Sequence, residues 1–216
     1  MGKLIEQLAP EYGFTSCSSH DVGWNPNHVK DADAAVEFTT PEVAVGNIEA
    51  LAERRVPVVV GTTGWIIHMD RVRSAVERSG SALVWSPNFS IGVNIFFRLV
   101  REAARLAANE SQYGAWAWEI HHQTKKDAPS GTLLKLVDDM RASGYSRHID
   151  VSSNRAGAHP GTHEIGFDST ADTITLRHAA RSREGFARGA LKAARWIVGK
   201  KGVFEFSEIL FGQEPQ

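Results

Sequence analysis

"VPVVVGTTG", residues 56–64, decides the fold class. Apolar, β-branched residues follow one another with no polar alternation, so a strand built from them is buried on both faces, as strands of parallel sheets are. The run ends in Gly-Thr-Thr-Gly, at the carboxyl end of the strand, where open α/β sheets bind ligands. Such a turn also reads as a plain glycine-rich cap on the following helix. Upstream, "AAVEF" (34–38) is a second strand candidate. In "TPEVAVGNIEALAERR" (40–55), Thr40 suits an N-cap, Pro41 the first helical position and Glu42 the first turn. Downstream, a helix over 67–79 leads to a strand "ALVWS" (82–86). Strands alternating with helices at this rhythm predict a doubly wound α/β layer. Before it lie a helix over 2–9, a short strand in "GFTSCSS" (13–19) and a polar loop from His20 to Asp33.

The second half changes rhythm. "SIGVNIFFRLVREAARLAA" (90–108) carries the apolar stripe of a long helix, and "AWAWEIHH" (115–122) alternates as a strand with one solvated or ligand-facing side does. A helix near 130–143 precedes three strand-like segments, "IDVSSNRA" (149–156), "THEIGFDS" (162–169) and "TITLRHAA" (173–180). They predict an antiparallel or mixed sheet. The last strong helix covers 184–198. The tryptophans and the Phe96-Phe97 pair are expected in a core or a subunit interface.

The 216 residues suffice for one large or two small domains, and 42% apolar with 23% charged residues is ordinary for a chain with a core. A net charge of -1 gives no sign of a nucleic-acid partner. The single cysteine, Cys17, excludes an intrachain disulfide and a cysteine-based zinc site. No apolar run approaches the roughly 18–20 residues of a membrane helix. A soluble, intracellular, cytoplasmic chain with no membrane partner is expected.

The chemistry concentrates in "HHQTKKDAPSGT", residues 121–132. On a strand, His121 and His122 point to opposite faces. Either could donate a proton near neutral pH. Lys125 and Lys126 offer fixed positive charge for a carboxylate or a developing anion. "DAPSGTLLKL" opens a helix whose Ser130, Gly131 and Thr132 present N–H groups and hydroxyls at its positive end, an anion site. A small, carboxylate-rich substrate suits this set; the alternative is a solvated strand–loop–helix connection. A metal set of His121 or His122 with Asp127, His159 or His163 lacks a compact two-histidine motif, and no metal is expected. "SPNFSIGVN" (86–94) follows the next strand, where Asn88 and Ser90 also read as helix caps. "RAGAHPGTHE" (155–164) reads as a Gly/Pro loop holding Arg155, His159 and His163, with Arg155 able to hold a second carboxylate.

With "EIHHQTKKDAPSGT", "VVGTTGW", "SPNFSIGVN" and "RAGAHPGTHE", the chain closely resembles 4-hydroxy-tetrahydrodipicolinate reductase (dihydrodipicolinate reductase), the nicotinamide-dependent enzyme family of the diaminopimelate and lysine pathway. The likeness runs from about residue 34 to the C-terminus, and the E-x-H-H-x-x-K-x-D-A-P-S-G-T block is its most specific part. It implies a Rossmann-like parallel sheet over 1–88 plus 200–216, with an α+β substrate and tetramerisation domain inserted at 89–199. It implies His121 as the general acid, assisted by Lys125, and a dicarboxylate site completed by His122, Ser130, Gly131 and Thr132. Gly61, Thr62 and Thr63 would meet the nicotinamide side of NADH or NADPH, Ser86, Asn88 and Phe89 would line the same crevice, and Phe38 and Thr39 would lie along the dinucleotide.

The opening departs from that family pattern. Members begin with a buried strand and a G-x-x-G-x-M-G loop; here Met1-Gly2 resembles the last two residues of the loop, with Gly2 the one cofactor-binding glycine retained. "CSSHD" has no clear acidic residue at the expected ribose position, although Asp21 is near. The expectation is an N-terminally shortened Rossmann-like sheet, from a start assigned to an internal methionine, a truncated chain, or a natural short form. The rival function is a catalytically inactive dicarboxylate-binding or scaffold homologue; a metal-dependent hydrolase is a more distant one.

Overall fold

Val58, Val59 and Val60, all fully buried, form β2 at the centre of a parallel sheet. The structure, a computed structural model, describes residues 1–15, 18–21, 23–25, 29 and 32–212. The chain divides into two compact units, Met1–Ile91 with Glu184–Gln216, and Gly92–Arg183.

In the first unit the strands β1 (Ala35–Glu37), β2 (Val58–Val60), β3 (Ala82–Trp85) and β8 (Gly202–Glu205) lie in the order β1-β2-β3-β8, every pair parallel. Successive side chains of a strand point to opposite faces, and the packing follows. Val58, Val60 and Leu83 pack with α2 (Pro41–Glu53) and α3 (Met69–Ser79) through Ala44, Ile48, Leu51, Val72 and Val76. Val59 and Val84 pack with Ala190, Ala193, Ala194 and Ile197 of α6 (Glu184–Ile197). Small residues on α6 let it approach closely: a Cβ on Gly189 would lie 1.7 Å from the backbone oxygen of Phe89. The short α1 (Gly2–Leu8) packs on α6 through Ile5, Leu8, Ala187 and Leu191.

Two expectations change here, and two elements had not been expected. The strand in "GFTSCSS" is not formed at residues 13–15 or 18–19, and Ser16 and Cys17 lie outside the described residues. Helix α6 belongs to the first unit and not to the inserted one, because its alanine stripe covers the parallel sheet; the boundaries therefore fall at 91/92 and 183/184 instead of 88/89 and 199/200. Strand β8 and the helix α7 (Phe206–Phe211) had no sequence signal, because "GVFE" is too short to show a period.

The second unit is a mixed sheet of β4 (Gly114–His121), β5 (Ile149–Arg155), β6 (Thr162–Asp168) and β7 (Thr173–Ala179) in the order β5-β4-β6-β7. The β4–β5 pair is parallel, and β4–β6 and β6–β7 are antiparallel. Ala115 and Ala117 of β4, with Ile149, Ile165 and Phe167, face α4 (Ile91–Ala108) and α5 (Gly131–Ala142), which contribute Phe96, Phe97, Val100, Leu133, Leu136 and Met140. The alternate β4 residues Trp116, Trp118 and Ile120 are only half-buried on the opposite face. A Cβ on Gly166 would come within 2.1 Å of the Trp116 ring, so glycine lets that indole lie across β6.

Candidate active site

The period of β4 that buries Ala115 and Ala117 also buries Glu119 and His121 at the end of the same face. The register then chooses their neighbours. Glu119 is opposite Ser153 on β5 and His163 on β6, and His121 is opposite Arg155. His121 from "WEIHH", Arg155 and His163 from "RAGAHPGTHE", and Ser153 from the β5 segment before it thus converge on one buried carboxylate.

Glu119 is fully buried. Its Oε1 accepts from Arg155 Nη2 at 2.9 Å, from the Ser130 backbone N–H at 2.9 Å and from the Ser153 hydroxyl at 3.1 Å. Its Oε2 accepts from the Ser130 hydroxyl and lies 3.3 Å from His163 Nε2 and 3.5 Å from His121 Nδ1. Burial alone would raise this carboxyl, but hydrogen bonds from His163, Ser130 and Arg155 outweigh it and hold the group far below the usual carboxylate range. His121 responds the other way. Burial pushes its imidazole down to about 4; Glu119 opposes the fall, while His163, Lys125 and Arg155 add to it.

Ser130 is the N-cap of α5, accepting from the Leu133 N–H at 3.2 Å while its own donors go to Glu119. The first turn of α5 is thereby fixed to β4. Gly131 and Thr132 open that turn, and the Gly131 N–H is directed at Asp127. Lys125 Nζ holds the same Asp127 carboxylate at 2.7 and 2.9 Å. The donors expected to form an anion site here hold the protein's own carboxylates, Asp127 and Glu119. His122 lies just past β4, half-buried, with Nδ1 2.7 Å from the Thr124 hydroxyl.

Arg155 and His163 sit in β5 and β6, within the two strand segments expected at 149–156 and 162–169 and at the ends of the Gly/Pro connection between them. One expectation is corrected: Arg155 is turned onto Glu119 and the Asp127 carbonyl instead of being held for a second substrate carboxylate. His159 stands apart, accepting from the Gly161 N–H at 3.4 Å. Glu119 was missed as a site residue. The signal was present: Glu-x-His on an alternating strand places both side chains on one face.

Glu119, His121 and His163 bring their ligand atoms within 4.8 Å of one another, close enough for a metal ion. The chemistry of the set argues for protons instead. The carboxylate is already neutralised by Arg155 and filled by serine donors, and a divalent ion would be placed beside Arg155 and Lys125.

In the first unit the remaining expected residues meet at the carboxyl edge of the parallel sheet. Phe38 and Thr39 follow β1, Gly61–Thr63 follow β2, and Ser86, Asn88 and Phe89 follow β3. Thr39 N–H donates to Thr62 Oγ1 at 2.8 Å, and Gly61 N–H to the Glu37 carbonyl at 2.8 Å. Gly61 has no room for a side chain, since a Cβ would lie 2.1 Å from the Phe38 ring. Ser86 Oγ and the Asn88 backbone exchange hydrogen bonds at 2.8 and 3.1 Å, and Phe38 meets Phe89 edge-on at 6.4 Å. Gly2 is the first residue of α1. Glu37, buried at this edge, bonds to Thr39 and Asn47 but leaves Oε2 without a partner. A ribose hydroxyl is a donor that such an acceptor fits.

Two family models divide the chain between them: "Dihydrodipicolinate reductase, N-terminus" matches residues 16–89 and "Dihydrodipicolinate reductase, C-terminus" matches residues 92–210. The chain belongs to the dihydrodipicolinate reductase family. Among its relatives, the 4-hydroxy-tetrahydrodipicolinate reductase of Christiangramia forsetii is 32% identical over 97% of this chain and 93% of that protein. The enzyme of the same name from Methanoregula boonei is 39% identical over 84% of this chain and 76% of that one. Among solved structures, the dipicolinate-bound dihydrodipicolinate reductase from Paenisporosarcina sp. TG-14 has a TM-score of 0.68 at 23% identity, covering 80% of this chain and 71% of that one, which shows a shared fold. As a dihydrodipicolinate reductase family member the chain is an α/β oxidoreductase with a Rossmann-like parallel sheet. Among the described residues no helix is long and apolar enough to cross a membrane.

Proposed function

We propose that this chain reduces 4-hydroxy-tetrahydrodipicolinate to tetrahydrodipicolinate in the diaminopimelate and lysine pathway. The observation that carries the reading is the convergence, around Glu119, of an imidazole and the α5 N-terminus, with Lys125 close by. The nicotinamide cofactor, NADH or NADPH, supplies the hydride. The chain's own groups do the rest. Lys125 and the Gly131–Thr132 turn bind a substrate carboxylate by exchanging it for Asp127, and His122 faces the same loop. His121 gives the substrate its proton. A negatively charged dicarboxylate raises the proton affinity of the depressed imidazole as it binds, so the acid is formed where it is used. Gly2, Phe38, Thr39, Gly61, Thr62, Thr63, Ser86, Asn88 and Phe89 would hold the cofactor.

The reading includes a cytoplasmic homotetramer. The sheet face carrying Trp116, Trp118 and Ile120 supports self-association, because one helix-covered face suffices for the unit's own core. Light scattering at several protein concentrations measures the assembly.

The test is a fluorescence titration with NADH and with NADPH, with and without pyridine-2,6-dicarboxylate. Saturable binding strengthened by the dicarboxylate is expected. A folded chain that binds the dicarboxylate and neither nucleotide favours the inactive dicarboxylate-binding homologue instead.

A further inference from the structure

Nδ1 of His121 is fully buried and makes no hydrogen bond, and Glu119 Oε2 faces it at 3.5 Å. The ring has little freedom to turn. Gly161, at φ +135°, lies against it so closely that a Cβ would come within 3.0 Å of Cδ2 and Nε2. His163 packs edge-on with ring centroids 5.0 Å apart. The carboxylate is equally fixed, held from the start of α5 by Ser130, from β5 by Ser153 and Arg155, and from β6 by His163. We propose, on the reductase reading above, that Glu119 is the positioning residue of His121: it keeps the hydrogen of the neutral ring on Nδ1 and so makes Nε2 the atom that delivers the proton.

The charges around the imidazole support this. Glu119 faces it from its own strand, His163 from β6, Arg155 from β5 and Lys125 from the following loop. Of these four, only Glu119 favours a proton on the ring. On transfer, the substrate gains the proton from Nε2 and the imidazolium becomes neutral imidazole, its remaining hydrogen on Nδ1 against Glu119. Solvent then restores the proton to Nε2. A carboxylate set behind an imidazole in this way fixes the tautomer and stabilises the cation without itself taking the proton.

Glu119→Gln separates this role from a purely structural one. Arg155 and the Ser130 N–H both donate to Oε1, so the amide oxygen takes that place and the amide NH₂ turns to His121. A donor now faces Nδ1, which drives the ring hydrogen to Nε2. Heteronuclear NMR of the His121 ring nitrogens is expected to show Nδ1–H in the parent and Nε2–H in Glu119→Gln. The descending limb of kcat/KM against pH should move to lower pH by about one unit or more, because the supporting charge is gone. Glu119→Asp, which keeps the charge, should return the ring to Nδ1–H. An unchanged tautomer together with an unmoved pH limb overturns the proposal. The NMR result needs no turnover, so a chain with no reductase activity but a switched tautomer would refute the reductase reading and leave the positioning intact. If Glu119→Gln does not fold, Glu119→Gln with Arg155→Met, which also removes the stranded cation, carries the same two readouts.

Discussion

Replacing Arg155 with methionine keeps most of the side-chain volume and removes the guanidinium 2.9 Å from a fully buried carboxylate. Breaking a buried pair on one side typically costs about 3–5 kcal/mol, because the other charge stays behind without compensation. Here the loss is smaller. Glu119 keeps the Ser130 N–H, the hydroxyls of Ser130 and Ser153, and His163. Each hydrogen bond to a charged group is worth about 1.5–3 kcal/mol, so the carboxylate is not stranded, and about 2–3 kcal/mol is expected for Arg155→Met. Amide hydrogen exchange of β4 and β6 measures the opening free energy of the unit concerned. The sign with pH follows from the same picture. The depressed Glu119 contributes stability that is present above the unfolded carboxyl pKa and lost as pH falls through the folded one. Removing Arg155 raises the folded value, so the gap between variant and parent should narrow as the buffer is made acidic. A loss under about 0.5 kcal/mol, or one independent of pH, would show that Arg155 does not compensate Glu119 and that the network has been misread.

His121→Ala and Lys125→Ala should each lower turnover about 10²–10⁴-fold while changing thermal stability little, as loss of acid–base assistance does; unchanged rates in both would remove them from the site. The parent should lose stability as pH falls from about 6.5 to about 4, because the unfolded chain protonates His121 before the folded one does, at up to about 1.4 kcal/mol per pH unit. In His121→Gln that slope should flatten over the same window in urea titrations, and an identical slope would deny the burial of the imidazole. Gly189→Ala should destabilise the first unit by about 1–3 kcal/mol despite alanine's better helix propensity of about 1 kcal/mol, since the new Cβ would meet a backbone oxygen; a neutral result in hydrogen exchange of β2 would contradict the close packing of α6.

Elements with a long period were legible in the sequence. The buried run at 56–60, the stripe of α4 and the alternation of β4 each repeat often enough to declare their type and their buried face. Strand β8 spans four residues and shows no period, and α6 announces a helix without saying which sheet its alanines cover. The site divides in the same way. His121, Lys125 and the Ser130–Thr132 turn lie in one contiguous block, so their chemistry could be read together. Glu119, Ser153, Arg155 and His163 meet only through strand register, which one-dimensional spacing does not contain. Arg155 and His163 fall at the ends of two segments legible as strands, but the Gly/Pro-rich connection between them carries no sign that both side chains turn to Glu119.

The central claim is that this chain reduces a dicarboxylate with its proton delivered by His121. The most direct measurement is the initial rate of reduced-nicotinamide oxidation with 4-hydroxy-tetrahydrodipicolinate, for the parent chain and for His121→Ala at matched fold. Saturable turnover in the parent, reduced at least about 10²-fold in the variant, is the predicted result. A folded parent with no turnover with either NADH or NADPH, or a variant as fast as the parent, would contradict it.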